Sequence, residues 1–182
     1  MDETSVYIDM LDSTTISFEG EKNVEANGTG HGKTRFSVVL AIFSSDKMLR
    51  TLVILKELKN VPKCKVPPNI ILTVSKGGSM NEHSMKEWVS KCFRNRNVFL
   101  ATTKSLLFMD QYGSHKKENV LLKLKKLNTV VKFISPKTTH YLKPLDVGVN
   151  SSFKAVLKNE WQKWMCDGPK EFTSKGYRRR PN

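Results

Sequence analysis

The sequence predicts an α/β fold, a mixed sheet with helices packed on it. Strand-like apolar runs come first in the chain, and helical periodicities then alternate with further strand-like runs. At 182 residues and 38% hydrophobic content, the chain has material for one core of ordinary size. No internal repeat or low-complexity tract interrupts the pattern.

Taken in order, Met1-Asp-Glu-Thr4 leads into Ser5-Val-Tyr-Ile-Asp-Met10, a short strand, so that Asp2 lies almost at the first residue. Residues 12–34 are rich in Ser, Thr, Gly, Asn and Glu and read as loop with room for one edge hairpin. The β-branched runs Arg35 to Phe43 and Thr51 to Leu55, joined by the polar turn Ser44-Ser-Asp-Lys47, predict an antiparallel pair. A proline-broken connector, Val61 to Pro68, precedes another strand at residues 69–74. Ser79 and Glu82 have the spacing of a capping box, and Met85, Trp88, Val89, Cys92 and Phe93 follow at helical steps, predicting a helix from Met80 to Phe93.

Ser105 to Met109 is unbroken apolar sequence of strand length, expected to be covered on both faces, and it ends at Asp110. Ser114 is placed to cap a helix whose apolar face is Val120, Leu121, Leu124 and Leu127. Thr129 to Ile134 is the next strand, stopped by Ser135-Pro136. From Asn150, the steps between Phe153, Val156, Leu157, Trp161, Trp164 and Met165 predict a long helix ended by Gly168-Pro169. Residues 1–165 are therefore expected to form one domain, and residues 166–182 a basic, flexible tail.

With 31 Lys and Arg against 17 Asp and Glu, the net charge of +14 points to a polyanionic partner: DNA, RNA or an anionic membrane. The longest apolar run, Phe36 to Phe43, is far short of the roughly 18 residues of a membrane span, and the N-terminus is acidic, so an intracellular, soluble protein is expected. Cys64, Cys92 and Cys166 are too widely spaced for a zinc finger and odd in number for a disulfide framework. Gly28-Thr-Gly-His-Gly-Lys-Thr34 approaches a phosphate-binding loop but has Asn27 where the spacing requires glycine.

Among the histidines, His31 and His83 read as exposed polar residues. His115, five residues after Asp110, and His140, six before Asp146, are candidate accessory groups. Aspartate directly after a buried strand needs compensation, which a pair of divalent cations about 3.5–4 Å apart can supply while acting on a phosphodiester. Spacing alone leaves a capping or surface role open for both Asp110 and Asp146.

More specific information lies in the motifs. Met1-Asp-Glu-Thr4, Leu107-Phe-Met-Asp-Gln-Tyr-Gly-Ser-His115, Thr138-Thr-His-Tyr-Leu-Lys-Pro-Leu-Asp-Val-Gly-Val149 and Phe153-Lys154 stand in this order, with Gly30-His-Gly-Lys-Thr-Arg35 and Val53-Ile-Leu-Lys56 between them. Together they resemble the DDE superfamily endonuclease domain of pogo-type transposases, the group with Tigger and jerky-type elements and CENP-B-like transposase-derived proteins.

The resemblance implies an RNase H-like, retroviral-integrase-like fold, with residues 1–165 as the catalytic domain. It also implies three metal-binding catalytic acids, matched to Asp2, Asp110 and Asp146, with Mg²⁺ or Mn²⁺ as cofactor and DNA strand cleavage and joining as the reaction. His115 accompanies the second acid and His140 precedes the third. Nine lysines against two acids between residues 104 and 143 then acquire a substrate, and Lys116, Lys117, Lys123 and Lys143 are expected to contact DNA phosphates.

Departures are visible. Lys143 stands where the family usually has glutamine, Gly78-Ser-Met80 where it has Gly-Trp-Met, and Asp46-Lys47 where Asp-Gly is common. Members also carry upstream helix-turn-helix domains and a strand leading into the first acid, so the domain reads as N-terminally truncated and Asp2 is expected to be poorly held. Two functions follow: a metal-dependent DDE transposase or endonuclease, or a decayed or domesticated relative that binds nucleic acid without cutting. Both place the protein with DNA in the nucleus, away from membranes, and leave homo-oligomerisation open.

Overall fold

The structure, a computed structural model, describes residues 1–10, 18–21, 28–56, 58–96 and 103–179, without the side chains of Lys137, Thr139 and His140. It divides into two compact units, Met1–Val6 with Arg35–Ser152, and Tyr7–Thr34 with Phe153–Asn182.

The first unit carries a four-stranded sheet in the order β1 (Asp2–Tyr7), β2 (Arg35–Leu40), β3 (Thr51–Lys56) and β4 (Ile70–Ser75). β2 and β3 pair antiparallel, Ser37 opposite Ile54, as the polar turn between them predicts. Asp46 in that turn takes a left-handed φ of 60°, which Asp tolerates better than most residues. β3 and β4 pair parallel from Thr51 opposite Ile70 to Lys56 opposite Ser75, making the sheet mixed. A second, parallel pair is β5 (Ser105–Asp110) with β6 (Thr129–Ile134). Strand β1 begins three residues earlier than its apolar content suggests, so Asp2 is a residue of the strand itself.

Helix α1 (Glu82–Trp88) runs directly into a π-helical turn at Val89–Phe93, so the predicted helix is present but widens halfway. Its start differs from expectation. Asn81, not Ser79, is the N-cap: its side chain accepts from Ser84 N at 2.9 Å while Ser84 Oγ accepts from Asn81 N at 2.8 Å. Residues 76–79 are used in a turn instead, where Gly78 has φ 69° and a Cβ would lie 2.7 Å from Lys56 Cβ. Helix α2 (Glu118–Lys126) likewise begins after Lys117, with no side-chain cap, so Ser114 does not cap it. Its Val120 and Leu124 are buried as the periodicity predicts.

Val39, Leu52, Ile54, Met85, Trp88, Val89, Cys92, Leu107, Met109, Val120 and Leu124 form one buried cluster. Burial pushes the Cys92 thiol up to about 11, which makes it an unreactive apolar filler. Strand β5 departs from its predicted double coverage: Leu107 and Met109 face the core, whereas Leu106 and Phe108 are exposed. Alternate side chains point to opposite faces, and an apolar run on both faces does not reveal which face is covered. After β6, a 3-10 turn at Pro136–Thr138, helix α3 (Thr139–Leu142) and a π-helical turn at Leu145–Val149 lead into α4 (Asn150–Asp167).

In the second unit, the Asp9 carboxylate is buried and accepts from Thr29 N, Thr29 Oγ1 and His31 N. His31 is therefore part of a turn, not an exposed polar group. Arg178 closes the end of α4 by donating to the carbonyls of Trp164, Met165, Gly168 and Pro169. The basic segment that follows α4 carries an antiparallel bridge between Phe172 and Arg178. Among the described residues, no helix is long and apolar enough to cross a membrane.

Candidate functional site

Each acid singled out by sequence has a core residue as its chain neighbour. Met1 packs against the core cluster beside Asp2, Met109 is buried within it beside Asp110, and Leu145 is buried beside Asp146. The main-chain nitrogen of Met1 donates to Phe108 O at 3.1 Å, bringing the start of β1 against β5. Core packing thus delivers three carboxyl groups, from β1, from β5 and from the turn before α4, to one place.

They meet at Lys143. Its Nζ lies 2.5 Å from Asp2 Oδ1, 3.3 Å from Asp110 Oδ2 and 3.4 Å from Asp146 Oδ2. An ammonium has three N–H donors and no acceptor, so three carboxylates match it one for one. Lys143 is only 7% exposed and Asp2 only 4%. Burial works against the charged lysine, but hydrogen bonding and charge attraction from Asp2, then Asp110 and Asp146, hold its pKa above the ordinary range. Lys143 is therefore not the exposed phosphate contact expected from the sequence. Asp2 is also not poorly held: besides Lys143 it accepts from Asn150 Nδ2 at 2.9 Å, and the same nitrogen reaches Asp146 Oδ1 at 3.0 Å.

A second bridge extends the network. His115, 1% exposed, contacts Glu3 Oε1 through Nε2 and Asp110 Oδ1 through Nδ1, each at 2.7 Å. Burial disfavours the imidazolium, but its hydrogen bonds to Asp110 and Glu3 outweigh that and push its pKa up to about 9. The His115 hydrogen bond, helped by Tyr112 N and opposed by burial, holds the Asp110 carboxyl far below the usual carboxylate range. Because the folded value is raised from 6.5 to about 9, protonated His115 contributes stability fully below 6.5, and this is lost as pH rises through 9. Urea midpoints are expected to fall over that window in wild type and to stay flatter in His115→Gln; equal slopes in the two would place the titration elsewhere.

Sequence reasoning missed Glu3 and Asn150. Asn150 had a signal, since it lies four residues after Asp146 and so on the same helical face. Glu3 had none beyond its place in the first motif. Lys116 and Lys117 are exposed, with Lys116 Nζ 3.1 Å from Gln111 Oε1. The exposed Lys123 donates to Ser90 Oγ at 2.7 Å. The side chain of His140 lies outside the described residues.

Three strand- and turn-borne carboxylates thus converge on one point of a mixed α/β fold. A family model described as "DDE superfamily endonuclease" matches residues 33–178, and the chain belongs to this family. The matched residues include Asp110, Lys143 and Asp146 and begin after Asp2, which joins the site through geometry. The chain is 26% identical over 162 residues to the human "Pogo transposable element with ZNF domain", covering 89% of this chain and 11% of that protein. The solved "Mos1 transposase paired-end complex with left transposon end" superposes with a TM-score of 0.58 at 14% identity, covering 91% of this chain and 45% of the other. That likeness carries the fold.

DDE transposases generally use divalent metals. Asp2, Asp110 and Asp146 are the hard oxygen donors that Mg²⁺ takes, yet the site does not fit the ion as it stands, because the Lys143 ammonium already holds one oxygen of each. Among the described residues, no group of three His, Cys, Asp or Glu side chains is arranged to hold a metal ion.

Proposed function

We propose that this chain is a DNA-binding domain descended from a transposase catalytic core, one that contacts phosphates without cutting them. The observation that carries the reading is Lys143 Nζ among Asp2, Asp110 and Asp146. Cleavage of a phosphodiester needs strong positive charge delivered to the scissile oxygens, and here the carboxylates that would deliver it are spent on a lysine. The net charge of +14 and the exposed Lys116, Lys117 and Lys123 support a DNA partner and, with it, a nuclear location.

Binding of duplex DNA is expected to weaken steeply with salt, and Lys116→Ala/Lys117→Ala to lower the slope of log K against log salt by about 1–2. Supercoiled DNA is expected to stay intact in Mg²⁺ or Mn²⁺. Absence of salt-sensitive binding would sink the DNA-binding reading.

One observation favours a second reading. All three acids of the resemblance are present and lie within 3.4 Å of a single atom, so withdrawal of Lys143 would leave Asp2, Asp110 and Asp146 convergent on a space for Mg²⁺ or Mn²⁺. In that reading the domain is an endonuclease or transposase. Metal-dependent nicking by wild type, lost in Asp110→Asn, would replace the first reading with this one.

A further inference from the structure

We propose that Lys143 is the resident cation of the acid cluster: its ammonium takes the place a divalent ion would need and keeps Mg²⁺ and Mn²⁺ out of the folded wild-type site. The inference rests on the reading that the wild-type domain does not cut DNA, and it names what holds the cutting off.

The geometry argues for occupation by design of the turn, not by a chance swing of a long side chain. Lys143 directly precedes Pro144, and its carbonyl accepts from Asp146 N and Val147 N, both at 3.1 Å. The lysine is thus built into the same turn that presents Asp146, one helical step away. Its Nζ sits below the surface, against the buried Asp2.

Asn150 completes the enclosure. Its Nδ2 bridges Asp2 and Asp146, whereas its buried Oδ1 has no hydrogen-bond partner among the described residues. A divalent ion entering this cluster would have to displace Lys143 from all three acids at once, and the displaced ammonium would remain beside it on the same turn. Like charges at that range oppose entry, most strongly beside the buried Asp2. Remove the lysine charge and the balance reverses, because three carboxylates are left facing one another with a free amide oxygen beside them. That is an oxygen-rich, negatively charged cluster of the kind hard divalent cations occupy.

The test uses wild type, Lys143→Gln and Lys143→Arg with MnCl₂, reading bound Mn²⁺ by electron paramagnetic resonance and stability by thermal unfolding. Wild type and the charge-keeping Lys143→Arg are expected to leave the free Mn²⁺ signal and the unfolding midpoint unchanged. Lys143→Gln is expected to bind Mn²⁺ at least about tenfold more tightly than wild type, with its midpoint rising as metal is added; a variant that folds only with Mn²⁺ present supports the proposal equally.

Uptake of Mn²⁺ by wild type as tight as by Lys143→Gln would overturn it, as would a folded Lys143→Gln that takes up none. Should Lys143→Gln stay unfolded with and without metal, the other two proteins decide: silence in both supports the resident cation and uptake in either refutes it. Metal-dependent nicking by wild type would refute the underlying non-cutting reading, whereas a folded, Mn²⁺-silent Lys143→Gln beside a non-nicking wild type refutes the resident cation alone.

Discussion

Replacing Lys143 with methionine is expected to destabilise the folded domain by about 3–5 kcal/mol, the cost of leaving a buried charge without its partner. Methionine keeps most of the length and apolar stem of lysine, so the loss reports on charge more than on volume. Most of it should come from Asp2, which is buried and 2.5 Å from Nζ. Asp110 and Asp146 are partly exposed at 3.3 and 3.4 Å, and water screens what they lose.

A double-mutant cycle separates these contributions. Lys143→Met/Asp2→Asn should recover about 2 kcal/mol or more relative to the sum of the single variants, since residues in one hydrogen-bonded network couple by about 0.5–3 kcal/mol. Urea unfolding of the four proteins at neutral pH measures it. A Lys143→Met cost below about 1 kcal/mol, in the range of a surface ion pair, would show that the ammonium is solvated in solution.

Much of this site was legible in the sequence, but its wiring was not. Asp110 could be read because an unbroken apolar run ends on it, and Asp146 because it closes a motif. Asp2 was readable only through the resemblance, since nothing local marks an acid at the second residue. The role of Lys143 was hidden by distance: its main partner, Asp2, is 141 residues away, and a composition count enters it as one more basic residue.

The same holds for Glu3 and His115, 112 residues apart. At the level of fold, the strand pairs β2–β3 and the run of β6 followed directly from β-branched content and turn chemistry. The start of α1 did not, because Ser79, Asn81 and Glu82 all lie within reach of a cap and only the glycine turn before them decides which is used. The open face of β5 was also illegible, because Leu106 and Phe108 are as apolar as the buried Leu107 and Met109.

Trp88→Ala is expected to cost about 3–5 kcal/mol, a large share of the roughly 5–15 kcal/mol that holds a domain of this kind together. Trp88 is fully buried where α1 passes into the π-helical turn, and its ring stacks on Phe93 with centroids 5.4 Å apart. It belongs to the cluster that contains Leu107 and Met109, the two inward residues of β5. A cavity there loosens the strand that ends on Asp110, so the network around His115 and Lys143 should relax with it. Trp88→Phe should cost far less than the alanine change. Trp88 Nε1 is buried without a hydrogen-bond partner among the described residues, a penalty of about 1–3 kcal/mol that phenylalanine removes while keeping a ring in place. Urea midpoints of the two variants give the comparison, and chemical shifts of the His115 ring report whether the site moves. If Phe proves as damaging as Ala, the indole N–H has a partner in solution and ring burial alone does not set the stability of this core.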